Sequence, residues 1–303
     1  MPLLAVHIAD GALDWPVLAA GFLGAALLAL PGLIRVREEE IPRLALMTAA
    51  FFVTSTISPP LPLHTSVHLL LNGLLGVMLG IRAGLAILVG LLFQYAFLGH
   101  GGIGTLGVNT CVLTIPALAT AGLFRLLDRP ALSDSTIGRG AMVFASAFLM
   151  FGSLAVTAQA IFERFAGRTL ADTFQVLWVA RPLGLAVLVG VSAVVAVAER
   201  RWEDRPGFPL GCLLGIVSVL MTVALLAAVL LLGMPGVDDG PVMAIVLAHL
   251  PVAAVEGIVL GSVVAFLSQV RPDLLGRRTS RPAQREQLVN ADLPLAEADT
   301  HDR

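Results

Sequence analysis

Six histidines carry most of the chemistry open to this sequence, and their neighbours sort them into groups. His7 opens the run His7-Ile8-Ala9-Asp10-Gly11. His64 and His68 stand four apart in Leu63-His64-Thr65-Ser66-Val67-His68-Leu69-Leu70-Leu71-Asn72-Gly73-Leu74-Leu75-Gly76. His100 begins the glycine-rich run His100-Gly101-Gly102-Ile103-Gly104-Thr105-Leu106-Gly107-Val108-Asn109. His249 and Glu256 stand seven apart in an apolar stretch, and His301 lies near the end. Imidazole is a common ligand for nickel, copper and zinc, so a metal site is the first chemistry to weigh. His7 and His68 are the primary ligand candidates. For His68 the competing role is an interhelical hydrogen bond. His64 shares a helix face with His68 if a helix reaches that far, and is either a further donor or a loop residue. His100 reads as a solvent-facing loop residue. Asn109 either orients the ligands or caps its helix. His249 and Glu256 share one helix face, and both are costly in lipid unless they face protein or water. They serve either a metal path or packing, and their types favour packing.

Other chemistries find little support. All 19 basic residues are arginine, so no phosphate-binding loop of the Walker type can be built. No H-E-x-x-H motif is present, and neither Asp10 nor Glu163 is paired with a nucleophile in the sequence. Cys111 and Cys212 sit in apolar runs and read as small hydrophobes.

The elements that must position these residues are membrane helices. Of 303 residues, 57% are hydrophobic and 13% charged. Mean hydropathy is +0.90. Soluble domains carry about 25% charged residues. A spanning helix needs roughly 20 mostly apolar residues. Nine candidate spans fall near 15–34, 43–58, 66–80, 83–99, 107–127, 140–163, 173–198, 208–233 and 241–269. The third is short and reads as partly re-entrant. The expected fold is therefore all-α, a polytopic membrane bundle over residues 1–275. Residues 276–303 are polar and predict a disordered cytoplasmic tail. Acidic rather than basic residues precede the first apolar run, which argues against a cleaved signal peptide.

With the N-terminus outside and the C-terminus cytoplasmic, 16 arginines fall in inner segments and only Arg164 and Arg168 in outer ones. Arg181 falls inside a predicted span, before Pro182, where a kink is expected. That asymmetry obeys the positive-inside rule. His7, His64, His68 and His100 then gather at the outer face, with His249 about two turns inside it.

Together the blocks at His7, His64–Gly76, His100–Asn109 and His249–Glu256 resemble the CbiM/NikM family. These are substrate-specific (S) components of energy-coupling-factor (ECF) importers for cobalt and nickel. The resemblance runs from His7 to about Leu275 and is weakest between about 165 and 240. It implies capture of Co2+ or Ni2+ as cargo. It also implies partners: ATPase subunits, a transmembrane coupling subunit and a small accessory membrane subunit, in a bacterial or archaeal cell membrane. In the family a Met-His start supplies an amine, an amide nitrogen and an imidazole, and a second histidine closes a square plane. By resemblance these histidines are His7 and His68, with Asn109 orienting them. The family core has about seven spans, so residues 170–235 are expected to hold an inserted hairpin at the periphery.

Here His7 follows six residues, Met1-Pro2-Leu3-Leu4-Ala5-Val6. Either translation begins at Val6 as an initiating Met, or a real extension removes the amine and another donor such as His64 replaces it. A stand-alone secondary transporter or channel is the alternative, but no internal repeat supports it. An intramembrane enzyme lacks a catalytic group. The donor set does not separate cobalt from nickel.

Overall fold

The computed structural model describes residues 7–34, 36–57, 60–61, 65–66, 68–129, 135–167, 177–199, 207–234 and 239–277. Residues 1–6, His64 and the tail from 278 lie outside the described residues. The α-helices are α1 (Trp15–Ile34), α2 (Ile41–Thr56), α3 (Asn72–Leu79), α4 (Ala83–Leu98), α5 (Leu106–Leu127), α6 (Thr136–Phe165), α7 (Pro182–Glu199), α8 (Phe208–Gly233) and α9 (Asp239–Val270). A two-residue antiparallel ladder pairs Pro60–Leu61 with Thr65–Ser66.

Small residues set how these helices cross. Gly21 of α1 packs on Val108 and Gly24 on Cys111, so α1 and α5 run side by side in the same direction. Gly84 of α4 meets the Leu28 carbonyl and Gly32 meets Arg82, so α4 runs the other way. Gly76 of α3 lies on the Ala117 carbonyl and Gly80 on the Arg125 side chain, which places α3 parallel to α5. In α8 and α9, Gly211 faces Gly261 and Gly215 faces Gly257, an antiparallel pair in close contact. Such small-residue faces let backbones approach where lipid supplies no hydrophobic drive.

Among the described residues six helical stretches are long and apolar enough to cross a membrane: Trp15–Ile34, Asn72–Leu98, Leu106–Leu127, Thr136–Glu163, Phe208–Gly233 and Gly240–Val270. Pro182–Ala198 is shorter, and α2 has 16 residues. The stretch from Asn72 turns back on itself. Gly80 has φ 57, and the 3-10 turn Gly80–Arg82 reverses the chain between α3 and α4. The expected third span at 66–80 is thus helical only from Asn72. Its eight residues rise about 12 Å, too little to cross alone. Nearly all of α3 is buried in protein. That burial is what permits a helix end at this depth.

The helix directions separate two ends of the bundle. His7, Asp10 and the 100–105 loop meet the start of α5. Gly32, Arg82, Arg125 and Asp128 gather at its other end. There Arg82 pairs with Glu40 at 2.6 Å, and Arg277 grips both carboxylate oxygens of Asp128.

Two expectations are corrected. The pair of helices within 170–235 does not stay at the edge. Only α7 does, with Leu183, Val194 and Val197 exposed. Helix α8 enters the centre, because its glycines admit α9 and its Ser218 and Thr222 both bond Asn72 of α3. Arg181 is not inside a helix either. It is exposed just before α7, where Pro182 takes the first helical position.

Candidate metal site

The segment from His7 to Asp10 is held by the start of α5. The Asn109 side chain accepts a hydrogen bond from Ile8 N at 2.9 Å and donates to Ile8 O at 3.0 Å. The Thr105 hydroxyl donates to the same carbonyl at 2.6 Å. One turn earlier, the Asp10 carboxylate accepts from the backbone N–H of Ile103 and Thr105, both at 3.1 Å. A side chain at Gly102 would strike that carboxylate, which explains the glycines of the 100–104 loop there. These contacts fix the backbone beside His7 and bury its ring to 4% exposure.

His68 reaches the same point from the opposite wall. It belongs to the extended turn ahead of α3, where Leu71 takes φ 48, the only positive value outside glycine among the described residues. Helix α9 holds that turn. Glu256 Oε1 accepts from Leu70 N at 2.5 Å and Leu71 N at 2.8 Å, so a carboxylate caps a helix start from 185 residues away. Acids belong at helix N-termini for the same electrostatic reason. Glu256 thus anchors the turn that carries His68.

The rings of His7 and His68 lie stacked, with centroids 5.0 Å apart and planes at 23°. His68 Nδ1 is 2.9 Å from the Leu69 carbonyl, which makes Nδ1 the N–H and leaves the Nε2 lone pair free. His68 Nε2 and both ring nitrogens of His7 are buried with no hydrogen-bond partner among the described residues. Buried polar atoms normally find partners. A neutral imidazole keeps one lone pair, so the two rings offer an electrophile one donor nitrogen each.

Both rings lie outside the membrane-crossing helices, and burial lowers the affinity of each for protons. His7 is held well below 6.5 by burial, then by the fields of His68, His100 and His249. His68 is lowered by burial, opposed by its bond to Leu69, and lowered further by His100. The rings are therefore neutral at physiological pH, the form that binds metals. The linkage has one sign. The unfolded chain takes up protons near pH 6.5, while the folded site resists them. Metal-free protein should keep its stability above about pH 6.5 and lose it as the pH falls below that value. Thermal unfolding in detergent between pH 8 and pH 5 checks this (on the order of three pH units). A midpoint that stays level, or that rises towards acid, rejects it.

His100 is exposed in its loop, as expected, yet within electrostatic reach of both rings. His249 is buried on α9 with Nδ1 2.7 Å from the Ile245 carbonyl. Two supporting residues escaped the sequence reading. Asn72 donates to Thr222 and Leu113 O while accepting from Ser218 and Gly73 N, and so knits α3 to α5 and α8. Asp10 was weighed only as a stray acid. The signal for each was a polar residue beside a histidine block.

Comparison with known proteins adds a decisive match. The family model for the cobalt uptake substrate-specific transmembrane region, CbiM, covers residues 7–199 and 182–274. The chain belongs to the CbiM family. A Haemophilus influenzae protein named as a metal transport protein is 43% identical over 141 residues, 46% of this chain and 68% of that protein. A Methanocaldococcus jannaschii protein named as a CbiM cobalt transport protein is 31% identical over 202 residues, 63% of this chain and 84% of its own length. An Archaeoglobus fulgidus protein named as a fused nickel transport protein is 28% identical over 240 residues, 74% and 76% of the two chains. The fold resembles a crystallised truncated transition metal transporter, with TM-score 0.51 at 18% identity over 87% of this chain and 99% of that one. Membership in CbiM and the long apolar helices make this a multi-pass membrane protein of a transport family rather than an enzyme family.

Proposed function

We infer that this CbiM protein is the substrate-capture subunit of an ATP-driven ECF-type importer of Co2+ or Ni2+. One observation carries the reading: two buried, neutral imidazoles stacked 5.0 Å apart, with three of their four ring nitrogens unpartnered. His7 and His68 supply the side-chain donors. Among the described residues no three of His, Cys, Asp and Glu converge tightly enough to hold an ion alone. The remaining nitrogens come from the backbone and terminus at His7 or from His64. Nitrogen donors of this kind suit nickel and cobalt.

Relatives named for cobalt and for nickel transport support both ions as cargo. The histidine end faces outward and the arginine end inward, following the positive-inside rule. In this reading the chain makes nine passes, with α3 as a half pass, from an outside N-terminus to a C-terminus in the cytoplasm of a bacterial or archaeal cell. Energy comes from separate ATPase subunits through a membrane coupling subunit, with a small accessory membrane subunit alongside.

Uptake of radioactive cobalt tests this division of labour. Cells lacking their own cobalt uptake should import it when the chain is expressed with its coupling and ATPase subunits. Import should fail when the ATPase is inactive. Import driven by the purified chain alone in liposomes rejects the reading and favours a secondary transporter.

A further inference from the structure

His249 has no part in the capture pair, yet its surroundings are those of a ligand. It lies on α9 at 1% exposure, with Nδ1 engaged by the Ile245 carbonyl. That contact leaves the Nε2 lone pair, which is buried without a partner. A histidine buried only for packing normally finds partners for both nitrogens. His68 repeats the same pattern with the Leu69 carbonyl. In metal sites a carbonyl commonly takes one N–H of an imidazole and so presents the other nitrogen.

Position adds a direction. Ile245 packs in one apolar cluster with Ile8, beside His7. His249 lies one turn beyond Ile245, towards Glu256, which grips the turn that carries His68. His68 and His249 also lie within electrostatic reach of each other. Yet no three such side chains among the described residues share one point. His249 lies within electrostatic reach of both rings of the stacked pair.

We propose that His68 and His249 form a second metal station, one turn deeper than the capture pair. Nε2 of His249 bonds to the ion as the nitrogens of His7 let go, and His68 stays attached throughout. Only metal–nitrogen bonds change, and the ion remains divalent. This inference rests on the capture reading.

Titration of the full-length protein in detergent with Co2+ alone, followed by its visible absorption, separates the two. His249→Gln should change the overall dissociation constant by less than about threefold. His7→Ala should retain weaker binding, lowered at least about a hundredfold. Adding His249→Gln to His7→Ala should lower that residual by about tenfold more. The second station is overturned if His7→Ala binds no cobalt, or if it and the double variant bind alike. Unchanged binding in both His7→Ala and His68→Ala defeats the capture reading instead. Metal-free unfolding midpoints confirm that each variant folds, and His249→Asn replaces His249→Gln should the latter fail.

Discussion

Protein carrying His7→Ala or His68→Ala should lose at least about a hundredfold in affinity for Co2+ and Ni2+, roughly 2.7 kcal/mol. Each substitution removes one of the two rings of the capture pair, at which no third His, Cys, Asp or Glu converges among the described residues. Groups that only orient a ligand already cost about 10–100-fold when removed, so a ligand should cost no less. Stability should move the other way. Three of the four ring nitrogens of the metal-free site are buried with no partner among the described residues, while His68 Nδ1 bonds the Leu69 carbonyl. Removing the unpaired nitrogens of His7 is nearly neutral or stabilising. Titration calorimetry on each variant, with unfolding midpoints beside it, reads both effects. A free amine next to His7 should matter too, so protein made with Met directly before His7 should bind more tightly than protein made from Met1. Equal affinity of the two defeats that part, and full affinity in both alanine variants defeats the site.

The second large effect belongs to Glu256. In Glu256→Ala, two buried N–H groups lose their acceptor. Each orphan costs about 1–3 kcal/mol, so about 2–6 kcal/mol of stability should go. Leu71 makes the loss worse, because its left-handed backbone at φ 48 is an unfavourable state for leucine. The turn should relax and His68 should leave its place opposite His7. Metal affinity should therefore fall although Glu256 is no ligand. Glu256→Gln keeps an acceptor oxygen and should retain much of both properties. Unfolding midpoints and cobalt titrations of the two variants distinguish this anchoring role. An alanine variant as stable and as tight as the native protein would sink it.

Much of this was legible in the sequence, for identifiable reasons. The spans could be read because lipid demands long apolar runs, and α1, α5, α6, α8 and α9 follow the hydropathy closely. The reversal between α3 and α4 could be read at Arg82, where the apolar pattern breaks. The start of α3 could not. Residues 69–71 are as apolar as a helix, and Glu256, far along the chain, takes the amides of Leu70 and Leu71 instead. Long-range polar anchors of this kind leave no local periodicity. The same holds for Asn72, whose partners come from α5 and α8. It also explains why α8 was misplaced at the edge. Hydropathy records contact with apolar surroundings and does not tell lipid from protein. His7 and His68 were found from their neighbours, but their stacking joins segments 61 residues apart that no spacing rule connects.

The half helix α3 has an electrical consequence. Asn72 lies level with Leu113, seven residues into α5, so about a third of that helix's length lies above it. An ion beside the start of α3, in the proposed orientation, has already passed through part of the membrane field. Each elementary charge gains about 2.3 kcal/mol per 100 mV over the full field. For a divalent ion a third of that is roughly 1.5 kcal/mol, more than a tenfold gain in occupancy. A living cell, negative inside, thus holds its cargo more tightly at this depth than detergent-solubilised protein does, and an importer that stops while the cell is energised is left loaded.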